Sequence, residues 1–170
     1  MGRSFHPSSP HGSANLGGSG TRMRPVSRID LDSADPLAVY AAIVEMDKDD
    51  FEDLMQEPPQ RQRVIAALIE HMVGLFRPEN AADVDAVIHI KLWDRPGGGY
   101  EHYELRIVNS TCALSHDPDS EADLTLKVRP TDLRKLITGE TGARRLALIG
   151  RLRVIGDLGL GMKLPDLFGF

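Results

Sequence analysis

The sequence predicts an α+β fold in two layers, a β-sheet covered by helices on one face. Three observations carry the prediction. Apolar residues recur at helical spacing between about residues 36 and 76, the middle of the chain switches to period two, and the last third returns to short helices punctuated by glycine. In the period-two segments one set of side chains is apolar and the other polar, so only one sheet face needs cover.

Residues 1–28 are rich in Gly, Ser, Pro and His, with Gly17-Gly18-Ser19-Gly20 at their centre. They lack apolar periodicity and read as a disordered tail, with Met23 as an alternative start. A single domain is expected over 29–170, with an N-terminal helical extension over 29–84 and a core over 85–168. Asp35-Pro36 supplies a cap and a first-turn proline for a helix through Met46. Asp47 caps a short second helix carrying Phe51, Leu54 and Met55. Pro58-Pro59 opens a third, where Val64, Leu68, Met72 and Leu75 recur beside Ile65, Ile69 and Phe76. Arg77-Pro78 ends it, because the residue before proline is pushed out of the α region.

Ile88, Ile90 and Leu92 then alternate with Val87, His89, Lys91 and Trp93. After a loop containing Pro96-Gly97-Gly98-Gly99, Tyr103, Leu105 and Ile107 alternate with His102, Glu104 and Arg106, which reads as a β-hairpin. Asn109-Ser110 turns into a third strand with Cys112 and Leu114 inward. Leu124, Leu126 and Val128 mark a fourth strand, and Leu152 and Val154 a fifth. Between these lie a helix from Thr131 ending at Thr138-Gly139 and another around Leu146 stopped by Gly150. Glycine suits both stops because it takes positive φ without steric cost. A last apolar helix follows Asp157. Gly159 and Gly161 weaken it by about 0.8–1 kcal/mol each, and Pro165 is expected to limit or kink it near Leu164. A greasy, loosely held terminal helix suits a lid over an apolar cavity.

The Asp-led helix ending in Thr138-Gly139, and the run Gly150-Arg151-Leu152-Arg153-Val154-Ile155-Gly156-Asp157-Leu158-Gly159-Leu160-Gly161-Met162-Lys163-Leu164, resemble the sterol carrier protein type 2 family of lipid-binding domains. The resemblance spans about Asp85 to Phe168. It implies a stand-alone, bacterial-type member, a mixed five-stranded sheet with helices on one face, and an apolar ligand tunnel. It also places Leu133, Ile137, Leu148, Leu160, Met162, Leu164 and Leu167 near that tunnel, with plain core packing as the alternative for each. Relatives often carry a polar or aromatic pair where this chain has Leu148-Ile149.

Composition narrows the classes of function. Hydrophobic residues make up 41%, an ordinary share, and no run approaches the roughly 20 apolar residues needed to span a bilayer. The first residues lack an apolar signal region, the chain ends without a peroxisomal Ser-Lys-Leu, and Cys112 stands alone, which together point to the cytoplasm. The net charge of −5 is uneven: ten acids oppose Lys48 between Asp30 and Glu57, whereas eight bases oppose Asp132 and Glu140 between Lys127 and Arg153. The two regions either face each other or sit on separate solvated faces. A sharper alternative is a basic rim beside the cavity that attracts anionic head groups, leaving room for transient contact with an anionic membrane. Without aromatics interleaved among the bases, nucleic acid is not an expected partner.

Catalytic and metal signals are weak. His89, Glu104 and His102 come together on the polar face if the hairpin turns around Pro96-Gly97, but Lys91 would repel a metal and a solvated face is the default. The acids of Asp117–Asp123 lack the glycine and the terminal glutamate of a calcium loop. Gly156-Asp157-Leu158-Gly159-Leu160-Gly161 has the wrong glycine order for a dinucleotide loop. Cys112 reads as an inert core thiol. The expectation is therefore a non-enzymatic carrier of a sterol, fatty acid, acyl-CoA or similar lipid, gated by the terminal helix, with no cofactor and no metal. The alternatives are an enzyme or biosynthetic accessory holding an apolar substrate such as a polyketide or steroid intermediate, and an interaction module with a collapsed cavity.

Overall fold

A computed structural model describes residues 35–169, so the tail expected over residues 1–28 lies outside the described residues. Three helices come first: α1 (Pro36–Glu45), α2 (Lys48–Leu54) and α3 (Pro58–Gly74). Asp35 caps α1 by accepting the Leu37 N–H at 3.0 Å, and Asp47 caps α2 by accepting that of Asp50 at 2.9 Å. After a 3₁₀ turn (Pro78–Asn80) come β1 (Ala86–Leu92), β2 (Glu101–Val108), β3 (Thr111–Ser115) and β4 (Leu124–Val128). The chain continues through α4 (Pro130–Ile137), α5 (Ala143–Leu148), β5 (Leu152–Gly156) and α6 (Leu158–Phe168).

The five strands form one mixed sheet in the order β3-β2-β1-β4-β5. Only the β1–β4 pair is parallel; the other neighbours are antiparallel. Asn109 and Ser110 both take positive φ (49° and 55°), so a two-residue turn joins β2 to β3 with the twist a tight hairpin needs. Register sets the two faces. Ile88 lies between Leu105 and Leu124, and Ile90 between Tyr103 and Leu126, so one face is a continuous apolar surface. Val64, Ile65, Leu68, Ile69 and Met72 of α3 are buried in the same core, with Val39 and Ile43 of α1 joining from behind. Gly139 and Gly150 have φ of 75° and 72° and stop their helices as the pattern required.

Two buried cations tie the layers together. Arg61 of α3 uses its whole guanidinium fork: Nε and Nη2 donate to Glu101 at 2.8 and 3.0 Å, and the remaining N–H groups reach the carbonyls of Met55, Asp94 and Trp93. Arg134 of α4 donates to the carbonyls of Val44 and Met46 at the end of α1, over the ring of Phe51. The acidic N-terminal helices and basic α4 therefore meet where α2 packs on α4.

Two expectations are corrected here. Pro165 does not end α6, which continues to Phe168. The C-cap is Gly169 (φ 78°), whose N–H bonds the Pro165 carbonyl at 2.7 Å. Nor is the outer sheet face simply solvated. His89 and Glu104 are buried, because the segment from His116 to Asp123 crosses that face and Ser120 donates its N–H to Glu104 at 3.1 Å.

Candidate functional site

The terminal helix lies on the apolar face at the β4–β5 end of the sheet, with Leu160, Leu164, Leu167 and Phe168 buried. Both of its ends are tied into the fold, the N-terminal one by the Asp157 N–H donating to the Asp123 carbonyl at 2.9 Å. At the C-terminal end the Arg77 N–H donates to the Leu167 carbonyl at 2.8 Å, and Asn80 Nδ2 donates to the Asp166 carbonyl at 2.7 Å. Phe168 also packs on Phe76, with ring centroids 5.5 Å apart. The N-terminal turn has the Asp157 cap, at 3.0 Å from the Leu160 N–H, and two glycines. Leu158 there faces solvent. A Cβ at Gly161 would stand 3.0 Å from Val154 Cγ1, so this glycine lets the helix sit close on the sheet.

Beside the N-terminal turn is an open cavity of about 520 Å³, lined by Asp83, Val84, Asp85, Ala86, Asp123, Asp157, Gly159, Leu160, Met162 and Lys163. Its rim is acidic. The alternative of a basic rim is not met here: Arg144, Arg145, Arg151 and Arg153 do not line this cavity. Arg144 and Arg145 belong to α5, before β5, whereas the cavity lies beyond the strand's far end. Arg151 is instead held at 3.2 Å by the buried carboxylate of Asp132.

The residues expected near a tunnel divide into two groups. Leu133, Ile137, Leu160, Leu164 and Leu167 are buried. Leu148 and Met162 do not join the interior, being 83% and 75% exposed. Helix geometry explains both. Leu146 anchors α5, and Leu148, two residues on, sits about 200° around the axis. Met162 likewise falls between the buried pair Leu160 and Leu164 and turns outward to the cavity rim.

The hairpin brings His89 opposite Glu104 and Lys91 opposite His102, the juxtaposition that a turn near Pro96-Gly97 implies. Glu104 faces His89 Nε2 at 3.4 Å and Arg106 Nη2 at 3.3 Å. Burial alone would raise its pKa, but the Ser120 N–H, His89 and Arg106 outweigh it and hold the carboxyl below its ordinary value. His102 packs edge-on to His89 at 4.4 Å, and burial followed by the charges of His89 and Lys91 lowers its pKa. Among the described residues no group of three or more His, Cys, Asp or Glu side chains is placed to hold a metal ion. Cys112 is half-buried, and burial pushes its thiol up to about 11, well away from a reactive thiolate. A second cavity of about 660 Å³ opens between the start of α3, the β1–β2 loop and His116. Tyr103 on its wall is pushed up to about 12, first by burial and then by Glu101 and Glu70.

Sequence reasoning missed Arg61 and Arg134. Each stands on a helix where a basic residue ordinarily reads as surface, and nothing local announces partners 40 or 88 residues away.

An open mixed sheet with helices on its apolar face defines an α+β class. The chain belongs to the SCP-2 sterol transfer family, whose model matches residues 70–169. It is 30% identical to sterol carrier protein 2 of Gallus gallus over 84 residues, which is 49% of this chain and 15% of that protein. The chain therefore matches about a seventh of the curated relative's length. Among solved structures it is similar to palmitated SCP2L2 from Aedes aegypti, with TM-score 0.50 and 18% identity, covering 61% of this chain and 92% of that one. A stereoselective inverting sec-alkylsulfatase from Pseudomonas sp. is also similar, with TM-score 0.45 and 17% identity, over 66% of this chain but 16% of the enzyme. No helix among the described residues is long and apolar enough to cross a membrane.

Proposed function

We propose that the protein is a non-enzymatic carrier of an apolar ligand, held between α6 and the inner sheet face and loaded through the N-terminal half of α6. The observation that carries this reading is the uneven anchoring of the helix. Its C-terminal end is fixed by Arg77, Asn80 and Phe76, whereas its N-terminal turn, tied through the Asp157 N–H to Asp123 and capped by the Asp157 carboxylate, carries two glycines beside a cavity. The helix swings about Phe168. Lifting Leu160 and Leu164 off the β4–β5 end of the sheet widens the cavity into the core. Burial of ligand hydrocarbon then supplies roughly 0.8 kcal/mol per CH₂. Family membership and the likeness to a palmitated neighbour support a lipid as ligand.

The rim refines the class of ligand. Asp83, Asp85, Asp123 and Asp157 outnumber Lys163, so the entrance repels a carboxylate or acyl-CoA more than a neutral sterol. Native mass spectrometry of delipidated protein with cholesterol, palmitate and palmitoyl-CoA tests both points. One equivalent of chemically unchanged ligand should be retained, with the neutral sterol loading fastest at low salt. Retention of none of the three would end the carrier reading, and conversion of any of them would make the protein an enzyme.

A further inference from the structure

Between Gly142 and Gly156 the chain carries four arginines and no acid. This stretch folds into α5, a tight turn and the edge strand β5. Leu146 and Leu152 are its buried residues. At the turn between them Leu148 and Ile149 are 83% and 58% exposed, two adjacent large aliphatic side chains facing solvent. Their surroundings are basic. Arg144 lies four residues before Leu148 and Arg145 four before Ile149, so helical spacing sets each arginine beside one of the apolar pair. Arg151 follows the turn with its guanidinium still 56% exposed beyond Asp132. Arg153 stands next to Lys127 across the β4–β5 pair. The carboxylate that touches this collar, Asp132, is buried and already engaged.

Two exposed apolar side chains at a turn do not make the roughly 800 Å² patch per partner that a stable protein interface needs. They do make a wedge that can enter the boundary between lipid head groups and acyl chains, where each nearby cation is attracted by anionic lipid. We propose that the α5–β5 turn docks the protein on anionic bilayers, with Leu148 and Ile149 inserted and Arg144, Arg145, Arg151 and Arg153 against the lipid phosphates. The inference rests on the carrier reading only in that a carrier meets membranes. The wedge and the α6 cavity lie at opposite ends of β5, about 13 Å apart along the strand at 3.3 Å per residue. Docking therefore tethers the protein without blocking the mouth.

The test uses the full chain and extruded vesicles of phosphatidylcholine, with or without 30% phosphatidylserine, in sedimentation assays. The protein should bind the anionic vesicles, and binding should weaken as salt rises. At about 1 kcal/mol per cation near an anionic surface, each arginine is worth roughly five-fold in affinity. R144E/R145E should therefore lose at least about 25-fold, and L148S/I149S should also bind more weakly. Leu148→Cys in a Cys112→Ala background, carrying an environment-sensitive dye, should shift its emission to the blue on anionic vesicles. Unchanged binding by both double variants, equal binding to neutral vesicles, or binding without an emission shift would each overturn the proposal. So would a change in oligomeric state in L148S/I149S, which would assign the wedge to a second copy. Ligand retention by L148S/I149S in vesicle-free solution should match that of the parent. If the parent retains no ligand yet docks as described, the carrier reading fails alone.

Discussion

Arg61 and Gly161 show how single side chains set this structure. Arg61 is buried with every N–H directed at an acceptor, so removing it leaves three carbonyls without this donor and Glu101 with only the more distant Arg95. Arg61→Met should cost about 3–5 kcal/mol in chemical denaturation, the usual penalty for breaking a partnered buried pair. Arg61→Lys should recover little of that, since an ammonium cannot reproduce the planar fork. The α6 glycines should behave differently from each other. At Gly159 a Cβ meets Asp157 Oδ1 at 3.1 Å, the oxygen that caps Leu160, so the helix gain of Gly159→Ala is set against a disturbed cap and the Tm should change little. At Gly161 the new methyl presses on Val154, and Gly161→Ala should lower the Tm unless Val154→Ala makes room. The opposite order in thermal melts would show that the β5 end yields and that the close approach is unimportant.

At the scale of elements, α6 and the segment crossing the outer sheet face each carry a prediction. Hydrogen exchange should fall along α6 from Leu158 toward Phe168 and be slower throughout α3, whose buried residues fill the core. Bound lipid should slow exchange chiefly between residues 158 and 164. Uniform protection along α6, unaffected by lipid, would make it ordinary core and remove the gate. The segment from His116 to Asp123 hangs on Glu104. Because the folded-state pKa of Glu104 is lowered, its ionised form contributes stability above the ordinary glutamate value of 4.5, and that contribution is lost as pH falls through and below it. Glu104→Gln should therefore be less stable near neutrality and show a flatter decline in denaturation midpoint between about pH 5 and 3. A parallel decline would mean that other carboxylates govern acid unfolding.

Across the whole molecule, what the sequence revealed was local and periodic. Asp35 and Asp47 as caps, the period-two strands, the Asn109-Ser110 turn and the stops at Gly139 and Gly150 are each decided within a few residues, and all appear in the structure. That the sheet is mixed came from family likeness, and its strand order was not legible at all, because apolar alternation does not say which strand lies beside which. Buried leucines on the inner face were legible as apolar, but whether any meets a ligand is not written in spacing. Pro165 misled because the turn beyond it is supported by Arg77 and Asn80, about 90 residues earlier in the chain. The exposure of Leu148 was hidden because α5 is too short, at 6 residues, for its phase to be read.

The tie from Arg134 to the end of α1 bears on where this protein can be cut. The family match begins at residue 70, inside α3, yet Val64, Ile65, Leu68 and Arg61 lie on the near side of that point and fill or brace the core. The unit that melts cooperatively should therefore include the helices α1–α3 upstream of residue 70. A fragment expressed from residue 70 should emerge as inclusion bodies, while one from residue 35 should stay monodisperse and show the full-length melting transition. Homology in this case marks where an inherited pattern begins, not where a self-sufficient body does.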